Sequence, residues 1–374
     1  MQWIDEQSRM ELLPAFRDCL GIWRPDFLLT GGSSGAVGFQ LCEINSRVPL
    51  NALIHSAYKN DIMRQLLGAE SNLKPAGDFN EMVSSLVGLF DARLPIHIVR
   101  GRDALDRQEF VHLVEKKTGL RPRFVGLADL QLRSDPSSAT GRSLYCKRPA
   151  SREEGEGLEK VKQVALLLFP DEYCFLAQDL LQHLAPIAVH DFRTSLLVND
   201  DRFLGIVLQE LEDLVITHKA LTPDQAMLLK DGIVPTILPG SPEFEQWIDL
   251  STRAEVTKND YILKAARQSR GMGHLLGEEV CEEKWKVIMS RMRDPGIHTD
   301  TTCFVLQPYI QQPTFDIVAN DDKVENGFHM VGTYYTANGR FLGLGPWRAG
   351  RAKICNVHGS GCVGLYSVTQ ADTD

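Results

Sequence analysis

Trp23-Arg24-Pro25-Asp26-Phe27-Leu28-Leu29-Thr30 is followed, across the glycine- and serine-rich Gly31–Gly38, by Phe39-Gln40-Leu41-Cys42-Glu43-Ile44-Asn45. These runs read as two strands, Pro25–Thr30 and Phe39–Asn45, of one hairpin with a long loop. Side chains two apart on a strand share a face. Glu43 and Asn45 therefore project together, with Asp26 placed to lie opposite them and Arg24 on the face of Asp26. Two carboxylates and an amide oxygen are a hard oxygen set suited to Mg²⁺ bridging nucleotide phosphates. Arg24 would hold a phosphate oxygen beside it. A Glu-x-Asn tripeptide arises about once by chance in a chain of this length, so its weight depends on its surroundings.

Outward from the hairpin, the opening segment predicts a short helix containing Leu12, Leu13 and Phe16. Apolar spacing predicts amphipathic helices over Val48–Leu67 and Phe79–Phe90. An α/β pattern follows: strand Ile96–Val99, helix Leu105–Lys117 and strand Arg123–Gly126. Arg133–Gly157, rich in Ser, Arg, Gly and Glu, reads as a flexible connection. A further lobe opens near Leu158, with the apolar run Val164–Phe169 and a helical Cys174–Leu184. After the loop Pro235–Pro242, Tyr261–Ala265 reads as a strand entering a glycine loop, Ser269–Gly273. A helix over Glu282–Arg293 and closing strands over Thr302–Leu306 and Val331–Leu344 complete the chain. The mixture predicts α+β lobes, divided as 1–93, 94–157 and 158–374.

Composition narrows the class. With 374 residues, 43% hydrophobic and 24% charged, the chain has the balance of a globular protein with more than one lobe. A formal charge of −9 argues against a sequence-independent nucleic-acid binder. No apolar run is long enough for a transmembrane helix, so no membrane partner is expected. Met1–Met10 lacks the pattern of a signal peptide. The eight cysteines are scattered without a C-x-x-C pair, and Cys355 and Cys362 are the nearest two. That pattern predicts free thiols, no zinc site and no disulfide framework, hence a cytoplasmic location.

Three further constellations bear on chemistry. Lys264 ends a strand and is followed by Ser269-Arg270-Gly271-Met272-Gly273, whose backbone N–H groups could close over phosphates. A lone Gly-x-Gly is as readily a surface turn. The spacing through Gly277 misses a dinucleotide fingerprint, and Gly31–Gly38 lacks the Walker ending. Phe304-Val305-Leu306-Gln307-Pro308-Tyr309-Ile310 reads as a strand running into a stiffened hinge, where backbone groups could meet an adenine edge; a core strand and turn is the equal alternative. Asn338-Gly339 predicts a hairpin turn whose far side delivers Arg348 toward a phosphoryl group. His55, His274 and His358 have no evident partner and read as structural or surface residues.

Taken in order, these segments resemble the circularly permuted ATP-grasp superfamily, in particular the synthetase domain of glutathionylspermidine synthetase. Arg24-Pro25-Asp26-Phe27 and Leu41-Cys42-Glu43-Ile44-Asn45 match its Arg-x-Asp-Phe and Glu-x-Asn strands. Leu168-Phe169-Pro170-Asp171-Glu172 is similar to its apolar-Tyr-Pro-Trp-Glu element. Tyr261-Ile262-Leu263-Lys264 through Gly273 is similar to its lysine and nucleotide lid, and Gln307 to its hinge glutamine. Val331-Gly332-Thr333-Tyr334, Trp347-Arg348 and Asn356 follow in the order of its late motifs. The resemblance implies an α+β ATP-grasp fold, circularly permuted, with a small α/β pre-ATP-grasp-like lobe. The synthetase-like region fills the chain, so no fused cysteine amidase domain is expected.

The resemblance also implies roles. Asp26, Glu43 and Asn45 would hold Mg²⁺, and Arg24 and Arg348 would contact the transferring phosphate. Lys264, Ser269, Arg270, Gly271, Gly273, Gln307, Tyr309 and Ile310 would bind ATP. The family's Ser-Asn-Lys is here Val198-Asn199-Asp200-Asp201-Arg202, so Arg202 would have to supply the lysine's charge. Its Ala-Asp-Thr-Pro is here Ser46-Arg47-Val48-Pro49, and Arg47 in place of an acid points to a different substrate. The implied reaction joins a small-molecule carboxylate to an amine through an acyl phosphate, releasing ADP and phosphate. Two alternatives stay open: a thiol or hydroxyl acceptor, and a nucleotide-binding scaffold without turnover.

Overall fold

The computed structural model describes residues 2–9, 11, 13–31, 37–48, 50–102, 108–138, 140–151, 155–268, 271–296, 302–318, 323–355 and 363–370. Helix α1 (Gln2–Arg9) precedes the hairpin strands β1 (Ile22–Gly31) and β2 (Val37–Asn45). The opening helix thus lies before Leu13 and Phe16, not over them. Pro14 follows Leu13, and the residue before a proline is disfavoured in helical geometry. Leu12 and residues 32–36 of the hairpin loop lie outside the described residues.

Helix α2 (Leu50–Leu67), the short strand β3 (Leu73–Pro75) and helix α3 (Phe79–Val87) follow. Asp78 caps α3 by accepting from the Glu81 N–H at 2.9 Å. Strand β4 (His97–Arg100), helix α4 (Gln108–Thr118) and strand β5 (Arg123–Gly126) form a β-α-β unit. Strand β4 pairs in parallel with β5 and also with a later strand, Val164–Leu167. Between them the connection expected at Arg133–Gly157 is an antiparallel meander of β6 (Leu130–Ser134), β7 (Arg142–Ser151) and β8 (Gly155–Lys160), and Val164–Leu167 is β9. On β7 only Ser143, Leu144 and Cys146 are buried among the residues described for burial, so the apolar alternation that marks a strand is nearly absent.

The middle of the chain is helical: α5 (Pro170–Tyr173), α6 (Gln178–Leu184), α7 (Arg202–Gln209), α8 (Leu211–Ile216), α9 (Pro223–Gly232) and α10 (Pro242–Thr252). The helix expected over Cys174–Leu184 begins only at Gln178. Strands β10 (Tyr261–Ala265), β11 (Leu275–Leu276) and β12 (Phe304–Pro308) form a three-stranded sheet, and α11 (Glu282–Met292) packs its Trp285, Ile288 and Met289 against Leu263 and Leu306. The last strands are β13 (Phe315–Val318), β14 (Val324–Ala337), β15 (Arg340–Leu344), β16 (Trp347–Gly350), β17 (Val363–Leu365) and β18 (Val368–Gln370). The Asn338-Gly339 turn forms as expected, with φ of 50° and 77°.

The two ends of the chain share one sheet. Strand β1 lies between β2 and the long β14, giving the order β17-β16-β14-β1-β2, with β13 and β15 also paired to β14. A Cβ on Gly332 of β14 would stand 2.2 Å from the Phe27 ring. That glycine therefore lets Phe27 lie across β14, edge-on to Trp347 at 5.1 Å. Among the described residues no helix is long and apolar enough to cross a membrane.

Candidate nucleotide and metal site

Pairing of β1 with β2 sets Asp26 opposite Glu43 and Arg24 opposite Asn45. The register slips between Asp26 and Phe27, beside Pro25, which has no N–H to give the ladder. A bulge there bends the strand and re-aims its side chains. Asp26 is wholly buried while Glu43 and Asn45 remain partly open. Strand β16 crosses on the other side of β14 and sends Arg348 to Asp26 Oδ2 at 2.5 Å. Arg24 Nε stands 3.4 Å from Asp26 Oδ1. Asn45 Nδ2 donates to Glu43 Oε1 at 2.7 Å, so its carbonyl oxygen is not spent on that bond.

Lys264, at 6% exposure, comes to this hairpin from β10 and donates to the Cys42 carbonyl at 2.9 Å. The strap after α9 holds the two sheets together. Val234 N–H donates to Leu41 O at 2.9 Å, and Ile237 and Leu306 exchange backbone hydrogen bonds at 2.8 and 3.1 Å. The outer edge of β2 is thus occupied by the strap at Leu41 and by the lysine at Cys42.

The electrostatics follow from burial and from this cluster of charges. Burial pushes the Asp26 carboxyl up, against the pull of Arg348 and Arg24. Burial also acts on Glu43, but Lys264, Arg348 and the Asn45 hydrogen bond outweigh it and hold Glu43 down at about 2. Burial alone would lower Lys264; Cys42, Asp201, Glu43 and Asp26 around it raise it instead. The donors fit a hard divalent cation. Asp26 Oδ1 is buried with no close hydrogen-bond partner among the described residues, opposite the Glu43 carboxylate and an amide oxygen.

Of the other residues singled out in the sequence, Gly271 and Gly273 have φ of 68° and 75°, left-handed geometry that glycine adopts in any tight turn. Ser269, Arg270 and Asn356 lie outside the described residues. Gln307 is buried on β12 and donates to Thr236 Oγ1 at 2.8 Å. The Tyr309 N–H donates to the Asp260 carbonyl at 2.7 Å, so an adenine would have to be met by other groups of the hinge. Ile310 is half-buried beside it. Arg202 is turned onto Asp200, with Nε and Nη2 at 2.8 and 2.6 Å from its two oxygens. Arg267 Nε reaches the same carboxylate at 3.2 Å. The Arg47 guanidinium lies over the Phe169 ring at 3.9 Å, and that of Arg102 lies over the same ring at 4.5 Å.

Two residues near the hairpin were not anticipated. Asp201 is buried within the field of Lys264, Glu43 and Asp26, and its burial raises it well above the usual carboxylate range. Its signal was the acidic pair ahead of α7, which the family comparison reads only as a missing lysine. His274 follows the glycine loop directly, with Nδ1 buried and unpartnered among the described residues. Burial and Lys264 push it down to about 4, with Glu43 opposing. A folded-state pKa below the ordinary histidine value contributes stability above about 6.5, which is lost as pH falls toward 4. Chemical denaturation across that window should show stability falling by a few kcal/mol. His274→Gln should flatten the fall; an unchanged slope would remove His274 from this account.

Comparison with known proteins gives a consistent family. The family described as AnkG N-terminal domain matches residues 1–197. The ATP-grasp enzyme ankG of Aspergillus thermomutatus is 38% identical over 358 residues, covering 90% of this chain and 74% of that one. A glutathione synthetase-like effector from Globodera pallida, solved in its apo form, shares the fold at a TM-score of 0.54 and 12% identity, over 93% of this chain and 76% of that one.

Proposed function

Because this chain belongs to the ATP-grasp family of ankG, with a glutathione synthetase-like fold, we propose that it is a Mg·ATP-dependent ligase that activates a carboxylate as an acyl phosphate and passes it to an amine. The observation that carries this reading is the meeting of Lys264 with Cys42 of the Asp26–Glu43–Asn45 hairpin, 222 positions away in sequence. The permuted order of ATP-grasp segments is supported by the joining of β1 and β2 to the C-terminal strands in one sheet.

Asp26, Glu43 and the Asn45 carbonyl would hold Mg²⁺, which when bound neutralises charge on the β- and γ-phosphates. Lys264 would take a phosphate oxygen by exchanging its bond to Cys42. Gly271 and Gly273 would let the backbone approach the phosphates, and the hinge at Gln307, Tyr309 and Ile310 would flank the base. A substrate carboxylate oxygen attacks the γ-phosphorus, and the bond to the ADP oxygen breaks. Arg348 and Arg24 spread the charge that develops on the transferring group. The amine nitrogen then attacks the acyl carbon, phosphate leaves with the former carboxylate oxygen, and the amine loses a proton. Arg47, fixed on Phe169, would face the acyl substrate. Arg202, held by Asp200, would order the entry to α7 in place of a direct phosphate contact.

Incubation with Mg²⁺, ATP and pooled small acids, amino acids and polyamines tests this reading. Substrate-dependent ADP, and a hydroxamate when hydroxylamine replaces the amine, are expected. AMP in place of ADP would remove the acyl phosphate. ATP binding without turnover across the pool would favour the scaffold.

A further inference from the structure

Away from the hairpin, two cross-strand pairs meet between the parallel sheet and the meander. His97 on β4 lies beside Arg123 on β5, and Cys146 on β7 lies opposite Glu159 on β8. His97 and Cys146 are buried at 0% and 1% exposure. One ligand atom from each of His97, Cys146 and Glu159 lies within 4.8 Å of the others. We propose that these three residues hold a zinc ion that pins the β6–β8 meander to the β5-β4-β9 sheet.

The geometry favours a metal over a plain hydrogen bond. His97 Nε2 stands 3.4 Å from Glu159 Oε2, longer than an ordinary N–H···O contact. Two ligands at about 2.0–2.1 Å from one tetrahedral zinc are about 3.4 Å apart. His97 Nδ1 is buried without a close hydrogen-bond partner among the described residues. Burial keeps His97 in the neutral form that coordinates. Arg123 binds the same Glu159 Oε2, which orients the carboxylate in the way outer partners hold ligating carboxylates. A soft thiolate with an imidazole and a carboxylate selects zinc over magnesium. On binding, the Cys146 thiol gives its proton to solvent as the sulfur–zinc bond forms. The three ligands are dispersed over 63 positions of sequence, which is why no short cysteine motif announces them.

The test uses the full chain with the exposed Cys174 and Cys281 changed to serine, loaded with zinc and passed over a chelating resin. Stoichiometric zinc, a rise of several degrees in thermal midpoint on zinc addition, and a near-ultraviolet thiolate charge-transfer band with Co²⁺ are expected. All three should be lost in Cys146→Ser. Absence of zinc and of the cobalt band, or a band that survives Cys146→Ser, would overturn the proposal and leave a hydrogen-bonded core cluster. If Cys146→Ser does not fold, His97→Gln replaces it in the comparison, and the parent chain's own zinc content and cobalt band still decide.

Discussion

Glu43→Gln should lower substrate-dependent ADP release by about 10²–10³-fold while leaving the fold intact, as removal of one group that stabilises transferring charge does. Glutamine keeps the shape of the side chain and can still meet Asn45, whose amide nitrogen lies 2.7 Å from Glu43 Oε1. What it removes is the ionised carboxylate that Lys264 and Arg348 hold at about 2, opposite Asp26. Asp26 alone, already tied to Arg348, would then face the metal and the phosphates. The Mg²⁺ concentration for half-maximal rate should rise with the loss of rate, while the thermal midpoint moves little. Activity within twofold of the parent, at unchanged Mg²⁺ dependence, would take Glu43 out of the site.

Lys264→Met should have the largest combined effect on stability and nucleotide binding. The ammonium is buried on the Cys42 carbonyl with Asp201, Glu43 and Asp26 around it. Removing one partner from a buried charge cluster costs about 3–5 kcal/mol, because the remaining acids lose their counter-charge. The pH dependence gives the sign. In the parent chain Glu43 sits below its ordinary value, so its contribution is present above about 4.5 and is lost as pH falls toward about 2. Without the lysine the same carboxylate is held up by burial, so the deficit in the variant should shrink on acidification. Lys264→Arg should recover much of the stability by restoring the charge, but not ATP affinity, since a planar guanidinium cannot replace a compact ammonium at a phosphate. A methionine variant that melts with the parent or binds ATP equally well would refute the central placement of Lys264.

Much of this site was legible in the sequence because strands announce themselves by local rules. Alternation around Asp26 and Glu43, the Asn338-Gly339 turn and the apolar run ending at Lys264 each rest on neighbours a few residues apart. The antiparallel register of β1 and β2 then followed from one hairpin. The meeting of Lys264 with Cys42 could not follow from spacing, since only the folded sheets bring them together. Order along the chain, compared with a known superfamily, supplied that link. The β6–β8 meander was missed for the opposite reason: Arg, Ser and Gly dominate Arg133–Gly157, and few of its described side chains turn inward. Arg202 shows a third limit. A basic residue at the right position looked like a substitute for lysine, but the carboxylate two residues before it, Asp200, takes its Nε and Nη2, and Nη1 turns to Cys303 Sγ.

The most direct test of the account is transfer of ¹⁸O from a labelled carboxylate substrate to phosphate during turnover with ATP. Formation and capture of an acyl phosphate require one labelled oxygen to leave in inorganic phosphate beside unlabelled ADP, and that is the predicted result. Turnover that leaves both labelled oxygens in the organic product, or sends the label to AMP, would contradict it.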